Sequence, residues 1–351
     1  MLLRVLAATA TAVASLLTLI FTGTAAAVPR ILVYQSDYRP AANAVADVDI
    51  SFERNDQPPG RIAISLQGGT LDLGADFGSD IGFSIAKVQT APTSPFNGRT
   101  VTLKGYFRVE NPADHLIDAA ACTGQSLHEA VWMMTLQLNT LQLQLPLYVD
   151  HKTGGYGKWL ITMCPKSPNV PEDQGGAQYG ARIQELYFRI ARVYQNGTVP
   201  ALYRWSALFT PYEPGTTVLN PHGTMEARAL MPVPYRLQLW RGRATAGSIR
   251  IAGTLKASHL ALAGARLDVY AGTRLDRMRF AGRTTKLTKG GSYSFTRKST
   301  GKAMYFQVVF GPFDVTRMGS FCSRPSEAAL GCVSATLSEI DSTVLKVPAR
   351  R

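Results

Sequence analysis

The alternation of Leu141, Leu143, Leu145 and Leu147 with Gln142, Gln144 and Pro146 constrains this chain more than any other feature. A β-strand sends successive side chains to opposite faces, so a strand here sets four leucines against a core and both glutamines in water. Upstream, Leu136 and Leu138 alternate with Gln137 and Asn139. The phase slips at Asn139-Thr140, which predicts a turn or bulge joining two strands. A helix competes, because Leu127, Val131, Met134, Leu138, Leu141 and Leu145 are spaced by fours and threes. That helix leaves Leu136, Leu143 and Leu147 on other faces and carries Pro146 at its end, so strands are the preferred reading.

Cys122 and Cys164 bracket this stretch, and Cys322 and Cys332 are the remaining cysteines. An even number in an exported chain reads as disulfides. Four cysteines allow three pairings, and sequence order favours Cys122–Cys164 and Cys322–Cys332. Closing loops of these lengths stabilises by roughly 4 and 3 kcal/mol in the chain-entropy model. A zinc site is the alternative, but it calls for paired C-x-x-C spacings and the sequence has none.

Export is read from residues 1–27. Arg4 is the only charge, an apolar run follows from Val5 to Phe21, and Ala25 and Ala27 suit a cleavage site before Val28. An uncleaved anchor is the competing reading; the small-residue tail favours cleavage. The rest of the chain has no second long apolar stretch, so no transmembrane segment is expected in the mature chain.

Short alternating runs dominate the remainder: Val48–Phe52, Ile62–Leu66, Val101–Val109, Ile183–Ile190 and Leu202–Phe209. Capped helical periods are scarce. The expected class is all-β, with two β-sandwich domains in tandem, the second immunoglobulin-like. The boundary is placed at Met231-Pro232-Val233-Pro234, giving a β-rich domain over 28–233 and a basic one over 234–351. Charge divides near the same place. Residues 28–235 hold 16 Lys and Arg against 18 Asp and Glu, a net of −2; residues 236–351 hold 20 against 6, a net of +14.

In the second part the strand candidates are Tyr235–Leu239, Ile249–Leu255, Arg266–Tyr270, Arg277–Phe280, Ser292–Phe295, Tyr305–Phe310 and Thr343–Val347. Seven strands in just over a hundred residues suit an immunoglobulin-like or prealbumin-like sandwich. Arg274, Arg277, Arg279, Arg283, Lys286 and Lys289 cluster here. If Arg277 and Arg279 share a strand face, Met278 and Phe280 point inward and the cations form a ridge for anionic partners. A solvated face is the competing reading. The cations are not aligned with aromatics, so nucleic acid is not the expected partner; outside the cell, anionic wall polymers are.

Catalytic motifs are weak. Asp114-His115, His128-Glu129 and Asp150-His151 set imidazole beside carboxylate, but neighbours on a strand face apart. Gly124-Gln125-Ser126-Leu127-His128 lacks the second glycine of a nucleophile elbow. His222 and Glu226 are four apart, yet Asn220-Pro221-His222-Gly223 reads as a turn and not as a metal-binding helix. No phosphate loop or dinucleotide fingerprint occurs, and no cofactor or metal is expected. Trp132, Trp159 and Trp205, with Tyr148, Tyr156 and Tyr203, offer platforms for sugar rings or, more simply, core packing. Asn196-Gly197-Thr198 marks an exposed turn. Pro165 to Gly180 is a long aperiodic loop, expected to be mobile or functional.

Cys122-Thr123-Gly124, His128 to Met134, Leu147 to Asp150, Arg204-Trp205, Phe209 to Tyr212 and Glu226-Ala227-Arg228 resemble the corresponding elements of secreted actinobacterial proteins in which a β-rich domain precedes an immunoglobulin-like one. Ala263 to Gly272 and Gly290 to Phe295 resemble strand entries of bacterial immunoglobulin-like and carboxypeptidase-regulatory-like domains, with the Cys322–Cys332 loop a departure. These resemblances imply export, architecture and a spacer or adhesion role, and no chemistry. The expected function is thus a secreted, non-enzymatic binding or structural protein, extracellular and associated with the cell wall, whose basic C-terminal domain docks to anionic polymers. The alternatives are carbohydrate binding by the first-domain aromatics, and a hydrolase built from the His/carboxylate pairs.

Overall fold

The computed structural model describes residues 29–53, 56–152, 158–240, 244–245, 247–257, 262–311, 313–314, 335–337 and 340–348. The expected signal segment, Tyr156, Cys322 and Cys332 lie outside the described residues. In chain order the first part contains β1 (Arg30–Gln35), β2 (Ala46–Ser51), β3 (Pro59–Leu66), β4 (Gly69–Leu71), β5 (Asp80–Gln89), β6 (Thr100–Glu110), α1 (Leu116–Thr123), β7 (Ala130–Leu138), β8 (Leu141–His151), β9 (Trp159–Met163), β10 (Arg182–Ile190), β11 (Tyr194–Asn196), β12 (Ala201–Pro211) and β13 (Met225–Val233). The second contains β14 (Tyr235–Trp240), β15 (Ser248–Ala257), β16 (Asp268–Gly272), β17 (Arg279–Arg283), β18 (Ser292–Lys298), β19 (Met304–Phe310), β20 (Phe313–Asp314), β21 (Ala335–Leu337), β22 (Ile340–Asp341) and β23 (Leu345–Val347).

The leucine alternation forms a hairpin. β7 and β8 pair from Ala130↔Val149 to Leu138↔Leu141, and Asn139, with φ 51°, makes the two-residue turn. Leu141, Leu145 and Leu147 are buried, Leu143 is half-buried, and Gln142 and Gln144 are exposed. The leucines face Trp132, Met134, Leu136 and Leu138 across the ladder.

This hairpin belongs to one thirteen-stranded sheet, ordered β1-β2-β10-β5-β6-β7-β8-β9-β3-β12-β13-β21-β20. The sandwich expected for the first domain is therefore corrected. The ladder never breaks into two sheets; it curls until β1 runs beside β13, a nearly closed barrel. A sandwich and a barrel ask for the same inward–outward alternation, so the pattern alone does not separate them. Tight curvature is permitted where Gly82 and Gly105 sit: a Cβ at Gly105 would run into the Thr135 carbonyl, and one at Gly82 into the Arg189 carbonyl. The interior is filled by side chains, the largest being Trp132, Trp205, Phe107, Phe188 and Phe209.

The α1 helix was not legible as an alternation, although the turn before it carries a helix signal. The Asn111 side chain accepts from the Ala113 N–H at 3.1 Å and caps a 3-10 turn over Pro112–His115 that leads into α1; α1 itself has no side-chain cap at its start, and Gly124 at φ 83° closes its end. α1 lies on the outer face of the barrel, where Ala119 and Cys122 pack on Val131, Tyr148 and Cys164. The expected Cys122–Cys164 disulfide is present, with Cα atoms 5.7 Å apart.

The loop from Pro165 to Gly180 is held at several points. Tyr212 Oη donates to the Pro165 carbonyl at 2.6 Å, and Ala177 N–H donates to the Ser167 carbonyl at 2.7 Å. The Gln178 side chain accepts from Gln142 N–H at 2.9 Å and donates to the Thr140 carbonyl at 3.3 Å, clasping the β7–β8 turn. A cleft between this loop and the barrel is lined by Pro59, Val88, Leu143, Pro165, Arg182 and Ile183.

After Val233 the chain enters two smaller sheets, β14-β15-β18 and β17-β16-β19-β22, with β23 also on β19. They share a second core built on Leu237, Ile251, Val269, Tyr293, Phe306 and Phe310. The two parts are not separate in their packing. Tyr38 stacks edge-on against Tyr235 at 5.2 Å, Leu202 and Leu230 join the second core, and β21 returns to pair in parallel with β13.

Burial at such contacts sets an alkaline limit. Tyr38 is pushed up to about 12 by burial, and Tyr187 also to about 12, by burial and by its hydrogen bond to Asp47. The unfolded chain releases these protons near pH 10 while the native state keeps them, so the native state binds more protons between 10 and 12. Stability is expected to be intact below about pH 10 and to fall as pH rises toward 12. Tyrosinate absorbance and near-ultraviolet dichroism followed together check this; tyrosines that all titrate near 10 with the fold intact would contradict it.

Candidate functional site

Two side-chain groups carry chemistry. The first surrounds His128, which is buried. Its Nδ1 is 2.7 Å from Asp150 Oδ2, and its Nε2 is 3.0 Å from Thr123 Oγ1 and 3.2 Å from the Gln125 carbonyl. Hydroxyl, imidazole and carboxylate stand in the order used for nucleophilic catalysis. Stabilising an oxyanion also needs free N–H donors beside the hydroxyl. Both nearby amides are engaged: Gly124 N–H donates to the Ala120 carbonyl at 3.0 Å, and Gln125 N–H donates to Thr123 Oγ1 itself at 3.0 Å. The Thr123 hydroxyl lies 2.9 Å from the Ala119 carbonyl and closes the end of α1. The group ties α1 to β8 beside the disulfide.

The other imidazoles are also rewired relative to the sequence pairs. His151 Nδ1 is 2.5 Å from Glu129 Oε2, its N–H donates to Glu129 Oε1 at 2.9 Å, and its ring lies 3.7 Å from that of Trp159. Burial acts to raise the Glu129 carboxyl, but the bonds from His151 outweigh it and hold the group below the usual carboxylate range. His115 Nε2 is 2.6 Å from Glu110 Oε2. Adjacent residues thus exchange partners across the β7–β8 ladder. His128 packs outward on Tyr148 and α1, and His151 packs on the inward-pointing Trp159, so the two face opposite sides of the sheet. His222 lies in the turn Pro221–Gly223, and Glu226 pairs with Arg228 at 2.6 Å, so that spacing makes no site.

The aromatics proposed as sugar platforms are corrected by their burial. Trp132, Trp159 and Trp205 are at most 3% exposed, and Tyr148 and Tyr203 are buried with them. Each lies where an apolar ring gains most from leaving water, so none offers a face to a ligand.

The second group is the basic cluster. Arg274, Arg277, Arg279, Arg283, Lys286 and Lys289 are all exposed. Arg274 pairs with Asp276 at 3.1 Å and Arg283 with Asp268 at 2.9 Å. Among the described residues, no carboxylate lies in ion-pair range of Arg277, Arg279, Lys286 or Lys289. In the barrel, Arg39, Lys87, Arg108, Arg189 and Arg228 each meet a carboxylate. The expected strand over Arg277–Phe280 is shifted. Leu275–Arg277 is a 3-10 turn and β17 begins at Arg279. Arg277 and Arg279 therefore do not share a strand face, and Phe280 points outward, 57% exposed.

No family model matches the chain. No curated protein matches it either. Among solved structures it is similar to red sea bream transglutaminase, at 10% identity and a TM-score of 0.20, over 92% of this chain and 31% of that one. A likeness at that score carries no argument about fold or activity.

Sequence reasoning missed the face to which the cations belong. Val269 and Ala271 point into the second core, so Tyr270 points out; Met304, Phe306 and Val308 point in, so Tyr305 and Gln307 point out. Phe280 and Tyr270 meet at 6.1 Å between ring centroids, and Lys346 Nζ stands 5.6 Å over the Tyr305 ring. The alternation from Met304 to Phe310 contained this signal once one face was known to be buried.

Proposed function

We propose that this is a secreted, non-enzymatic binding protein whose basic C-terminal part docks on an anionic polymer outside the cytosol, at the cell surface or wall. The observation that carries the reading is the set Arg277, Arg279, Lys286 and Lys289, exposed and without carboxylate partners among the described residues, in the part of the chain with net charge +14. Unpaired cations on one body give a field that extends about a Debye length, roughly 10 Å at 0.1 M salt, and a polyanion gains by releasing its counterions there. The leader-like segment 1–27 and the disulfide support export.

The immunoglobulin-like reading of residues 234–351 rests on strand order. β14, β15 and β18 occupy the first, second and fifth places of such a module. β17, β16, β19 and the β22/β23 edge occupy the opposing sheet. In this reading the barrel is the body carried and the basic module is its attachment.

The test is binding of the purified chain to cell-wall material and to soluble polyphosphate across a salt series. The expected result is a loss of about ten-fold or more between 50 and 200 mM salt. The quadruple charge reversal of Arg277, Arg279, Lys286 and Lys289 to Glu should abolish binding while circular dichroism is unchanged. Absent or salt-insensitive binding defeats the proposal.

A further inference from the structure

We infer that the outer face of the β17-β16-β19-β23 sheet is a binding site for an acidic glycan, a chain of sugar rings bearing carboxylate, sulfate or phosphate groups. This rests on the anionic-polymer reading above and narrows its ligand class.

The face combines two features. One is a diagonal row of aromatic rings. Phe280 on the edge strand stands beside Tyr270, and Tyr305 is diagonal to Tyr270, since Tyr270 pairs with Gln307 and Gly272 with Tyr305. Diagonal neighbours on a sheet lie about 7–8 Å apart, so the three rings span two to three sugar units. Phe280 and Tyr270 meet edge to face at 75°, so the row is a stepped apolar surface and not one flat platform. The other feature is charge on both flanks. Lys346 sits over Tyr305 on one side. On the other, the turn bearing Arg277 folds over Gly272, where an added Cβ would lie 2.8 Å from the Arg277 carbonyl oxygen. Arg279 precedes Phe280 on the edge strand and pairs with inward-pointing Ala271, so it faces the other side of the sheet and is not counted on this face.

Among the described residues, two carboxylates of this region are paired, Asp268 with Arg283 and Asp276 with Arg274. Asp341 accepts from Gln307 Nε2 at 3.3 Å, a neutral donor, and keeps its charge. Arg277 and Lys346 set against Asp341 leave the face positive by one charge for a ligand. Cations on an edge strand also block strand-to-strand association, but that role asks for no aromatic row beneath them. A polyphosphate would use the cations alone; a sugar polyanion uses both, packing an apolar ring face against exposed Phe280 and the Tyr270 beside it while Lys346, over Tyr305, meets an acidic group.

The experiment compares a heparin-derived oligosaccharide with polyphosphate of equal charge, by calorimetry on the full mature chain and on Phe280→Ala and Phe280→Tyr. Phe280 is exposed, so the variants should fold, and circular dichroism confirms it. The expected result is heparin binding about ten-fold tighter than polyphosphate. Phe280→Ala should reduce heparin affinity about five- to ten-fold, leave polyphosphate unchanged, and be rescued by Phe280→Tyr. Equal affinity for the two probes, with Phe280→Ala silent or weakening both alike, overturns the glycan assignment and leaves docking by charge standing. Binding to neither probe overturns both.

Discussion

Converting Cys122 and Cys164 to serine is expected to lower the unfolding free energy by about 4 kcal/mol, because the bridge closes a loop with a sequence separation of 42. The loss should be local before it is global. α1 buries only Ala119 and Cys122, so its attachment depends on the bridge and on the contacts of Thr123 with His128. Hydrogen exchange of the double variant should show the α1 amides unprotected while β7, β8 and β9 keep their protection. A variant with α1 still protected and a denaturation midpoint unchanged would mean that the His128 group holds the helix by itself, and that the bridge adds nothing to stability.

Truncating Trp205 to alanine is expected to cost about 3–5 kcal/mol. The indole is fully buried on β12, between the β3 and β13 ladders, with the Tyr194 ring 5.7 Å away. Nothing small can refill that volume, because its neighbours are fixed by ladders on both sides. Trp240 is the control. It is 49% exposed on β14, and its alanine variant should change stability by no more than about 0.5 kcal/mol. Urea denaturation of both variants measures the contrast. Iodide quenching gives a second readout, since Trp240 is accessible while Trp132, Trp159 and Trp205 are not. Equal costs for the two substitutions would show that the barrel interior is not packed as described.

The Trp205 truncation bears on how the candidate face is held in place, because β12 pairs with β13. The second core that supports Tyr270 and Tyr305 also contains Leu230 from β13 and packs against Tyr38. A loosened barrel is therefore expected to reach the module that carries the cations.

Residue types alone determined the class and much of the strand plan. The leucine alternation and the slip at Asn139-Thr140 read correctly, because a strand with one buried face writes a period of two into its sequence. All seven strands proposed for the second part overlap observed strands, with ends displaced by a few residues at most. The Cys122–Cys164 pairing also followed from order along the chain. The tertiary structure decided the rest. Whether an alternating sheet stacks on another or curls on itself depends on long-range ladders such as β2 with β10 and β3 with β12, which no local pattern encodes. The partners of His128 and His151 depend on register across β7 and β8. The outward turn of Phe280 depends on where β17 begins, one short turn later than the alternation of Arg277 and Arg279 implied.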